Sequence, residues 1–305
     1  MKTIQIAHTD LEAPQIALGC MRINSKTRAE AQAFVNTALE LGLNFFDHAD
    51  IYGGGDCERI FADVIGMNPS VREKIILQSK CGIRKGFFDF SKAHILESVD
   101  GILQRLNTEY LDILLLHRPD ALADPEEVAE AFDILQMTGK VRYFGVSNQK
   151  PMQIELLKKY VKQDIVINQL QLSITHAGMI TNGVNVNMTN ESSVDHDGSI
   201  LDYCRLKDIT IQPWSPFQHG FFGGVFLDDP AFPELNAKID ELAQKYNVTN
   251  STIAIAWILR HPAKMQPILG TINAERIRGI AKAMEIELTR EEWYAVYRAA
   301  GNILP

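Results

Sequence analysis

Four side chains that can hold or move protons lie at the ends of apolar runs in this sequence: Asp47, Tyr52, Lys80 and His117. Asp47 directly follows the run 43–46, and Tyr52 comes shortly afterwards, before a stretch of glycines. The run KIILQS leads to Lys80, and LDILLL leads to His117. Such a set can donate a proton, stabilise the anion left behind and orient a reacting oxygen, which is general acid–base chemistry.

Each of these residues also has an ordinary structural explanation. Asp47 fits a cap, Tyr52 a packed aromatic, Lys80 a solvated charge, and His117 a histidine satisfied within the core. The functional interpretation is favoured because the four residues follow three successive apolar runs. In a parallel barrel the carboxyl ends of the strands meet at one mouth, and neighbouring strands lie about 5 Å apart.

The elements that would position these residues alternate regularly along the chain. A small hairpin is predicted over 2–18, and Thr27 and Glu30 form a capping box at the start of the first helix. A further capping box at Thr289 opens a helix close to the end of the chain. The predicted strands end near positions 19, 46, 79, 116, 146, 170, 214 and 270, and nearly every one is followed by a helix.

This rhythm favours a closed (β/α)8 barrel, the TIM barrel, since eight such units need about 250 residues or more. A doubly wound open sheet is the alternative, but it would normally carry GxGxxG after the first strand, where this chain has ALGCMRINS. No composition shift divides the sequence. We therefore expect one α/β domain over residues 1–305, with an N-terminal hairpin and an additional C-terminal helix.

The composition argues against several other classes of protein. Hydrophobic residues make up 46% and charged residues 22% of the chain, which is enough apolar material for a large core. The net charge is −8 without a basic block, so the sequence predicts neither nucleic-acid nor membrane binding. The widely spaced cysteines are typical of reduced thiols rather than of a metal site. We expect a cytoplasmic monomer or weak oligomer without a bound metal.

One long segment, 173–198, is polar, rich in asparagine and almost without periodicity. Loops of this length in compact domains are usually either functional or disordered. The sequence leaves both interpretations open: the segment could close over a bound molecule, or it could be disordered.

Seven motifs surround the residues named above: NFFDHADIYGGG, ILQSKCG, LLLHRPD, GVSN, INQLQ, PWSPFQHGFFGG and GTINAERI. They resemble the motifs of the aldo-keto reductase family, and the resemblance covers essentially the whole chain. It implies a (β/α)8 barrel that reduces an aldehyde or ketone to an alcohol with a nicotinamide cofactor. It also assigns the catalytic roles to Asp47, Tyr52, Lys80 and His117.

The electrostatics of that assignment can be estimated independently. A free tyrosine has a pKa of about 10 and is a reluctant proton donor at neutral pH. A lysine cation about 4 Å away, at an effective dielectric of about 20, stabilises the phenolate by roughly 4 kcal/mol. We therefore expect Lys80 to lower the pKa of Tyr52 by about three units. Asp47 would hold Lys80 in place, and His117 would hydrogen-bond the carbonyl oxygen.

The resemblance further implies a set of cofactor contacts. Ser147, Asn148 and Gln169 would bind the carboxamide, and Trp214 would stack on the nicotinamide. Residues 215–221 would approach the pyrophosphate, and residues 271–276 would grip a 2′-phosphate at a helix N-terminus. The full implied set is Gly19, Met21, Asp47, Ser147, Asn148, Gln169, Trp214, Ser215, Phe217, Gln218, Gly220, Phe221, Gly270, Thr271, Asn273 and Arg276.

The sequence departs from the family pattern near its last strand. Many members carry a lysine where this chain has Gly270, and a Glu-Asn pair where it has Gly279-Ile280. The missing charge leaves a preference for a 2′-phosphate largely to Arg276. NADP(H) is the expected cofactor, with NAD(H) as the alternative.

Two other functions stay open on the sequence alone. One is a barrel that binds the cofactor but acts mainly through a protein partner, although the complete set of four residues argues against it. The other is a Schiff-base aldolase with Lys80 as the nucleophile, which Tyr52 and His117 fit poorly. The expected partner is a small carbonyl compound whose identity the residues do not reveal.

Overall fold

The computed structural model describes residues 2–305, in which strands and helices alternate over most of the chain. The strands are β1 Thr3–Gln5, β2 Glu12–Pro14, β3 Ala17–Gly19, β4 Phe45–Asp47, β5 Ile76–Cys81, β6 Ile83–Arg84, β7 Phe87–Phe88, β8 Leu111–Leu116, β9 Val141–Ser147, β10 Ile165–Gln171, β11 Thr210–Trp214 and β12 Ile268–Leu269. The helices are α1 Arg28–Glu40, α2 Asp56–Ile65, α3 Pro69–Arg72, α4 Lys92–Leu106, α5 Pro125–Met137, α6 Pro151–Lys158, α7 Gly178–Val184, α8 Ile200–Leu206, α9 Pro233–Tyr246, α10 Asn250–Leu259, α11 Ala274–Ala281 and α12 Arg290–Ala299.

Eight of the strands pair in parallel in the order β11, β10, β9, β8, β5, β4, β3, β12. The ends of this sheet approach each other where the Gln266 N–H donates to the Ile211 carbonyl at 3.0 Å. The sheet is therefore a nearly closed barrel with flanking helices. The predicted (β/α)8 fold is confirmed, and the doubly wound open sheet is excluded.

The antiparallel hairpin of β1 and β2 closes the amino end of the barrel. Ile4, Ile6 and Ala13 from this region form one buried apolar cluster with Phe45 and Ile113 of the barrel strands. Removing these apolar surfaces from water stabilises the closed end by about 25 cal/mol per Å². The polar end of the barrel is the opposite one, at the carboxyl ends of the strands.

The helices begin where the local sequence predicts them. Thr27 accepts a hydrogen bond from the Glu30 N–H, and the Glu30 carboxylate accepts one from the Thr27 N–H at 2.9 Å. Thr289 and Glu292 repeat this capping box at α12. Each box satisfies backbone donors that a helix start leaves free. The apolar faces of the helices then pack on the outside of the barrel in one large core.

Two local features differ from the sequence-based expectation, and a third concerns a segment whose structure the sequence left open. The last barrel strand pairs only over β12, which is shorter than the predicted run 265–270. The hairpin of β6 and β7 was not predicted, because Phe87 and Phe88 are both exposed and show no alternation. The segment 173–198 is folded rather than disordered: it contains α7, which buries Met179 and Ile180.

The C-terminal helix is fastened to the rest of the chain by a tryptophan pair. The indole N–H of Trp257 donates to the Trp293 carbonyl at 3.1 Å, and the indole N–H of Trp293 donates to the Trp257 carbonyl at 2.9 Å. The chain then runs back to the segment 173–198, where the Asn302 amide donates to the Ile174 carbonyl at 3.1 Å. No helix within residues 2–305 has the length and apolar character needed to cross a membrane.

Candidate active site

The four residues predicted to do chemistry meet at the carboxyl end of the barrel. Asp47 is the last residue of β4, Tyr52 opens a short 3-10 turn just after that strand, and His117 directly follows β8. Lys80 lies inside β5, one residue before its end, rather than after the strand as predicted. Asp47 and Lys80 are almost completely buried, with 2% and 0% of their surfaces exposed.

Lys80 is the centre of this cluster. Its ammonium donates to Asp47 Oδ2 and to the His48 carbonyl, both at 2.7 Å, and to Tyr52 Oη at 3.2 Å. The three N–H donors of the ammonium therefore have three different acceptors. The side chain is held in one geometry, with its charge directed at the phenol and at the carboxylate.

The pKa of Tyr52 moves in the direction opposite to the prediction. Burial is the largest influence and raises the pKa above its usual value, and the nearby Asp47 carboxylate raises it further. The Lys80 cation lowers the pKa, but not enough to reverse these effects. The sequence-based prediction was wrong because it left out the cost of burying a phenolate. Tyr52 is consequently a fully protonated phenol at neutral pH.

Lys80 and His117 are fixed in different charge states, the first as a cation and the second as a neutral group. Burial alone would lower the pKa of Lys80, but Asp47 and Tyr52 reverse this and the pKa lies above its ordinary value. Lys80 is therefore a cation and not the free amine that a Schiff base requires. Burial, followed by the Lys80 and Arg118 charges, holds the pKa of His117 well below its ordinary value. His117 is a neutral imidazole, and its Nδ1 is buried without a hydrogen-bond partner within residues 2–305.

The second oxygen of Asp47 is held by two amides whose contacts with it were not predicted from the sequence. Gln78 Nε2 donates to Asp47 Oδ1 at 2.6 Å, and Gln169 Nε2 donates to the same oxygen at 3.1 Å. Both amides also donate to Gln212 Oε1, at 2.8 and 3.1 Å respectively. A glutamine in an apolar strand pattern gives little signal by itself, so this arrangement depends on the closed barrel.

The residues expected to bind a carboxamide stand together at the ends of β9 and β10. Ser147 Oγ donates to the Gln169 carbonyl at 3.0 Å, and Asn148 Nδ2 donates to Ser147 Oγ at 2.7 Å. The Trp214 indole at the end of β11 donates to Asn148 Oδ1 at 3.1 Å. Asn148 adopts a positive φ of 59°, a conformation that asparagine tolerates better than most residues. These side chains hold one another in a fixed arrangement.

The loop after β11 carries Ser215, Phe217, Gln218, Gly220 and Phe221, and it is tied to the end of β10. The Gln171 amide donates to the Gly220 carbonyl at 2.5 Å. The Ser173 hydroxyl, just after β10, donates to the Gln218 carbonyl at 2.7 Å. Gln218 Oε1 is buried without a partner within residues 2–305. The loop therefore presents an unsatisfied polar atom next to the mouth.

The residues near the last strand lie on the rim between β3 and α11. Asn273 caps α11 and accepts a hydrogen bond from the Arg276 N–H at 2.9 Å. Arg276 is exposed and forms no ion pair within residues 2–305. The neighbouring acid, Glu275, lies 3.9 Å from Arg278 instead. Thr271 lies between the strand and this cap. Of the remaining predicted contacts, Gly19 ends β3 and Met21 follows it.

A second arginine reaches this rim from the loop after β3. The Arg22 guanidinium donates to the Gly270 carbonyl at 3.1 Å. A Cβ atom placed on Gly270 would lie only 2.7 Å from Arg22 Nη1. Arg22 therefore occupies the space that a side chain at position 270 would need. This contact could not be predicted from the sequence, because the two residues are far apart in the chain.

A cavity of about 660 Å³ opens beside Trp214 and Asn148, and the segment 173–198 forms one of its walls. Arg118, the residue after His117, lies in this cavity with its guanidinium 5.3 Å from the centre of the Trp214 ring. It is partly buried, and no carboxylate within residues 2–305 pairs with it. Arg118 is a cation of the cavity, together with Lys150, that sequence reasoning missed.

Two acidic side chains, Asp50 and Glu58, lie close to Tyr52 in the chain. Glu58 accepts hydrogen bonds from Arg105 Nε at 2.7 Å and from Ser79 Oγ at 2.9 Å. Asp50, by contrast, has one buried oxygen, Oδ1, without a partner within residues 2–305. Burial, followed by the nearby Glu58 charge, raises the pKa of Asp50 to about 6.

The sequence profile of the Aldo/keto reductase family matches residues 15–300. This chain belongs to the aldo/keto reductase family. The match spans every barrel strand from β3 to β12 and the four residues at the mouth.

Several relatives of this aldo/keto reductase align over nearly their full length. The uncharacterized oxidoreductase YcsN of Bacillus subtilis is 34% identical over 98% of both chains. A 6-dehydroglucose reductase of Agrobacterium fabrum is also 34% identical, over 97% of both chains. The crystal structure of the thermostable aldo-keto reductase Tm1743 has a TM-score of 0.79 at 24% identity, covering 98% of this chain and 100% of that one. The last comparison shows the shared fold.

The family and its oxidoreductase relatives make this aldo/keto reductase an NAD(P)H-dependent oxidoreductase. Neither alternative function finds support. The relatives are described as reductases and oxidoreductases, and the protonated Lys80 argues against an aldolase.

Proposed function

We propose that this aldo/keto reductase uses NADPH to reduce an aldehyde or ketone to an alcohol, with Tyr52 as the proton donor. The observation that carries the proposal is the contact of the Tyr52 hydroxyl with the Lys80 ammonium at 3.2 Å, beside the Asp47 ion pair at 2.7 Å. A bound reduced nicotinamide would supply a hydride to the carbonyl carbon.

The residues of this chain would act on the carbonyl oxygen. Tyr52 gives its proton to that oxygen as negative charge develops there, and the phenolate left behind faces the Lys80 cation. Lys80 thus stabilises the state in which the proton has left Tyr52, although it does not ionise the resting phenol. Neutral His117 donates a hydrogen bond to the same oxygen and orients the carbonyl. The proton of Tyr52 is then restored from solvent.

Side chains at the strand ends support the binding of a nicotinamide. Ser147, Asn148 and Gln169 offer both donors and acceptors to a carboxamide, and Trp214 offers an aromatic face. The unpartnered Gln218 Oε1 is a further acceptor for a bound group. These features agree with the contacts that the family resemblance implies.

The choice of NADP over NAD would depend on two arginines. Arg276 is exposed and free of acidic partners within residues 2–305. Arg22 fills the space beside Gly270, where other family members carry a lysine. We therefore propose that Arg22 supplies the cation that is missing at position 270. A guanidinium suits a phosphate because it donates in a bidentate fork.

The substrate we propose is a carbonyl compound that carries several hydroxyl groups. Polar side chains such as Gln171 and Asn182 share the wall of the cavity beside Trp214 with apolar ones, and the guanidinium of Arg118 offers several N–H donors to hydroxyl oxygens. Two relatives, from Agrobacterium fabrum and Novosphingobium aromaticivorans, are named 6-dehydroglucose reductases.

The reduced, buried cysteines support action in the cytoplasm.

The test is NADPH oxidation with 6-dehydroglucose, an apolar aromatic aldehyde of similar size and a quinone. Activity with any of them, lost in Tyr52→Phe, supports the reaction. Arg118→Met should raise KM for 6-dehydroglucose by about tenfold, the value of one charge-assisted hydrogen bond, and leave the apolar aldehyde unaffected. Arg118→Lys is the matched control that keeps the charge. Equal losses for both aldehydes in Arg118→Met would contradict the proposed substrate class.

A further inference from the structure

A chain of hydrogen-bonded glutamine amides crosses the interior of the barrel below the catalytic cluster. Gln212 Nε2 donates to Gln266 Oε1 at 2.8 Å, and Gln266 Nε2 donates to the Pro14 carbonyl at 2.7 Å. At the other end, Gln212 Oε1 accepts from Gln78 and Gln169. Gln78, Gln212 and Gln266 are completely buried, and Gln169 is 4% exposed. The chain joins the N-terminal hairpin to the mouth of the barrel.

The orientation of every amide in this chain is fixed from both ends. The Pro14 carbonyl can only accept a hydrogen bond, so Gln266 must direct its NH₂ group to Pro14 and its oxygen toward Gln212. Gln212 must then direct its NH₂ group to Gln266 and its oxygen toward the mouth of the barrel. That oxygen accepts from Gln78 and Gln169, whose NH₂ groups therefore face inward.

The ionised Asp47 carboxylate imposes the same orientation from above. It also can only accept, and both Gln78 and Gln169 donate to its Oδ1. Flipping any one amide would place two oxygens, or two NH₂ groups, against each other in a buried site, which costs the full desolvation penalty of unpaired groups. Gln212 is the member that links the two ends.

The amide chain determines which hydrogen-bonding group Gln169 presents at the mouth of the barrel. Both of its N–H donors are used, one on Asp47 and one on Gln212. Its Oε1 accepts no hydrogen bond within residues 2–305, so the amide offers an acceptor, and not a donor, to a molecule bound at the mouth. An acceptor at this position suits the NH₂ group of a carboxamide.

We propose that Gln212 is a positioning residue that fixes Gln169 as an acceptor toward the nicotinamide and fixes Asp47 toward Lys80. The inference rests on the proposed use of a nicotinamide cofactor, and it assigns a role to a residue that touches neither cofactor nor substrate. Without Gln212, the amides of Gln78 and Gln169 keep Asp47 but lose the second of the two acceptors that hold them in one orientation.

The test compares three variants by calorimetric titration with NADPH. Gln212→Met keeps the approximate volume but removes both hydrogen-bonding groups, and it should weaken NADPH binding about tenfold, the value of one hydrogen bond. Thr210→Val is the control: it removes a buried polar group from the same strand, one that accepts from the Ala7 N–H at 2.9 Å outside the amide chain. It should lower stability without changing NADPH affinity.

Gln212→Glu provides a readout that would not change if the side chain at position 212 only filled space inside the barrel. A protonated carboxyl can donate to Gln266 and accept from Gln78 and Gln169, as the amide does, whereas a carboxylate cannot donate. Burial and the Asp47 charge should raise the pKa of the introduced acid. NADPH affinity of this variant should therefore be near that of the parent at low pH and fall as the pH rises.

The outcomes separate this inference from the proposed function. Failure of the parent protein to bind NADPH would overturn both. Two results would overturn the role of Gln212 and leave the proposed function standing. One is a parent-like NADPH affinity in Gln212→Met. The other is an NADPH affinity in Gln212→Glu that depends on pH no more than the affinity of the parent does. Weakening in Gln212→Met together with the pH-dependent loss in Gln212→Glu would support it.

Discussion

Replacing Lys80 by Met should separate the catalytic role of the ammonium from its structural role. The Lys80 and Tyr52 heteroatoms lie 3.2 Å apart, and at an effective dielectric of about 20 an ammonium stabilises a phenolate at this distance by about 5 kcal/mol. The Asp47 carboxylate opposes part of that. We therefore expect kcat to fall about a thousandfold, within the range for assisted general-acid catalysis.

The same substitution should also lower stability. Asp47 has only 3% of its side chain exposed, and removing Lys80 leaves this carboxylate buried without its counterion. Breaking a buried ion pair in this way costs roughly 3–5 kcal/mol. Lys80→Met should therefore show a clearly reduced free energy of unfolding in urea.

The double variant Asp47→Asn/Lys80→Met distinguishes the two effects. Asparagine keeps an oxygen for Gln78 and Gln169 but removes the unpaired charge, so most of the lost stability should return. Turnover should not return, because no cation faces Tyr52. The measurements are kcat for NADPH-dependent reduction and urea unfolding of all the variants. Recovery of turnover together with stability would refute the electrostatic role and leave Lys80 as a purely structural residue.

Three other changes test separate parts of the site. Tyr52→Phe should lower turnover by at least about a hundredfold while NADPH affinity stays the same in titrations, and retained turnover would remove Tyr52 from the mechanism. Arg276→Ala and Arg22→Ala should each weaken NADPH binding by about 2 kcal/mol and leave NADH almost unchanged, whereas equal losses for both cofactors would contradict recognition of the 2′-phosphate. Asp50→Asn should stabilise the protein at pH 8 but not at pH 4. The pKa of Asp50 is about 6 in the folded protein and about 3.9 when unfolded, so the folded state binds the proton more tightly and loses up to about 3 kcal/mol as the pH rises through this window. Urea unfolding at both pH values measures this, and an equal gain at pH 4 would contradict the assignment.

The features predicted best from sequence are those set by neighbours in the chain. The capping boxes at Thr27 and Thr289 marked helix starts correctly because the hydrogen bonds lie within three residues. The length of β12 was overestimated, since strand pairing depends on a partner far away in sequence. The fold of 173–198 was not predictable either, because α7 is held by packing and by contacts such as the one from Asn302 to Ile174.

The candidate site shows the same division. Asp47, Tyr52, Lys80 and His117 could be placed at the mouth because each follows an apolar run. The sign of the pKa shift of Tyr52 could not, since it depends on burial and on the position of Asp47 in three dimensions. Contacts such as that of Arg22 with Gly270 exist only because the barrel brings its first and last strands together.

The tryptophans give this protein a built-in optical reporter. Trp257 and Trp293 are stacked in the α10–α12 contact with ring centres 4.7 Å apart and planes 7° from parallel, and neither lines the cavity at the mouth. Trp214 is the remaining indole of the three in the chain, and it stands at the mouth. Fluorescence quenching on ligand binding should therefore come from Trp214, whereas the stacked pair should give a near-ultraviolet circular dichroism signal that responds to detachment of α12. One sample can thus report occupancy of the mouth and docking of the C-terminal helix at separate wavelengths.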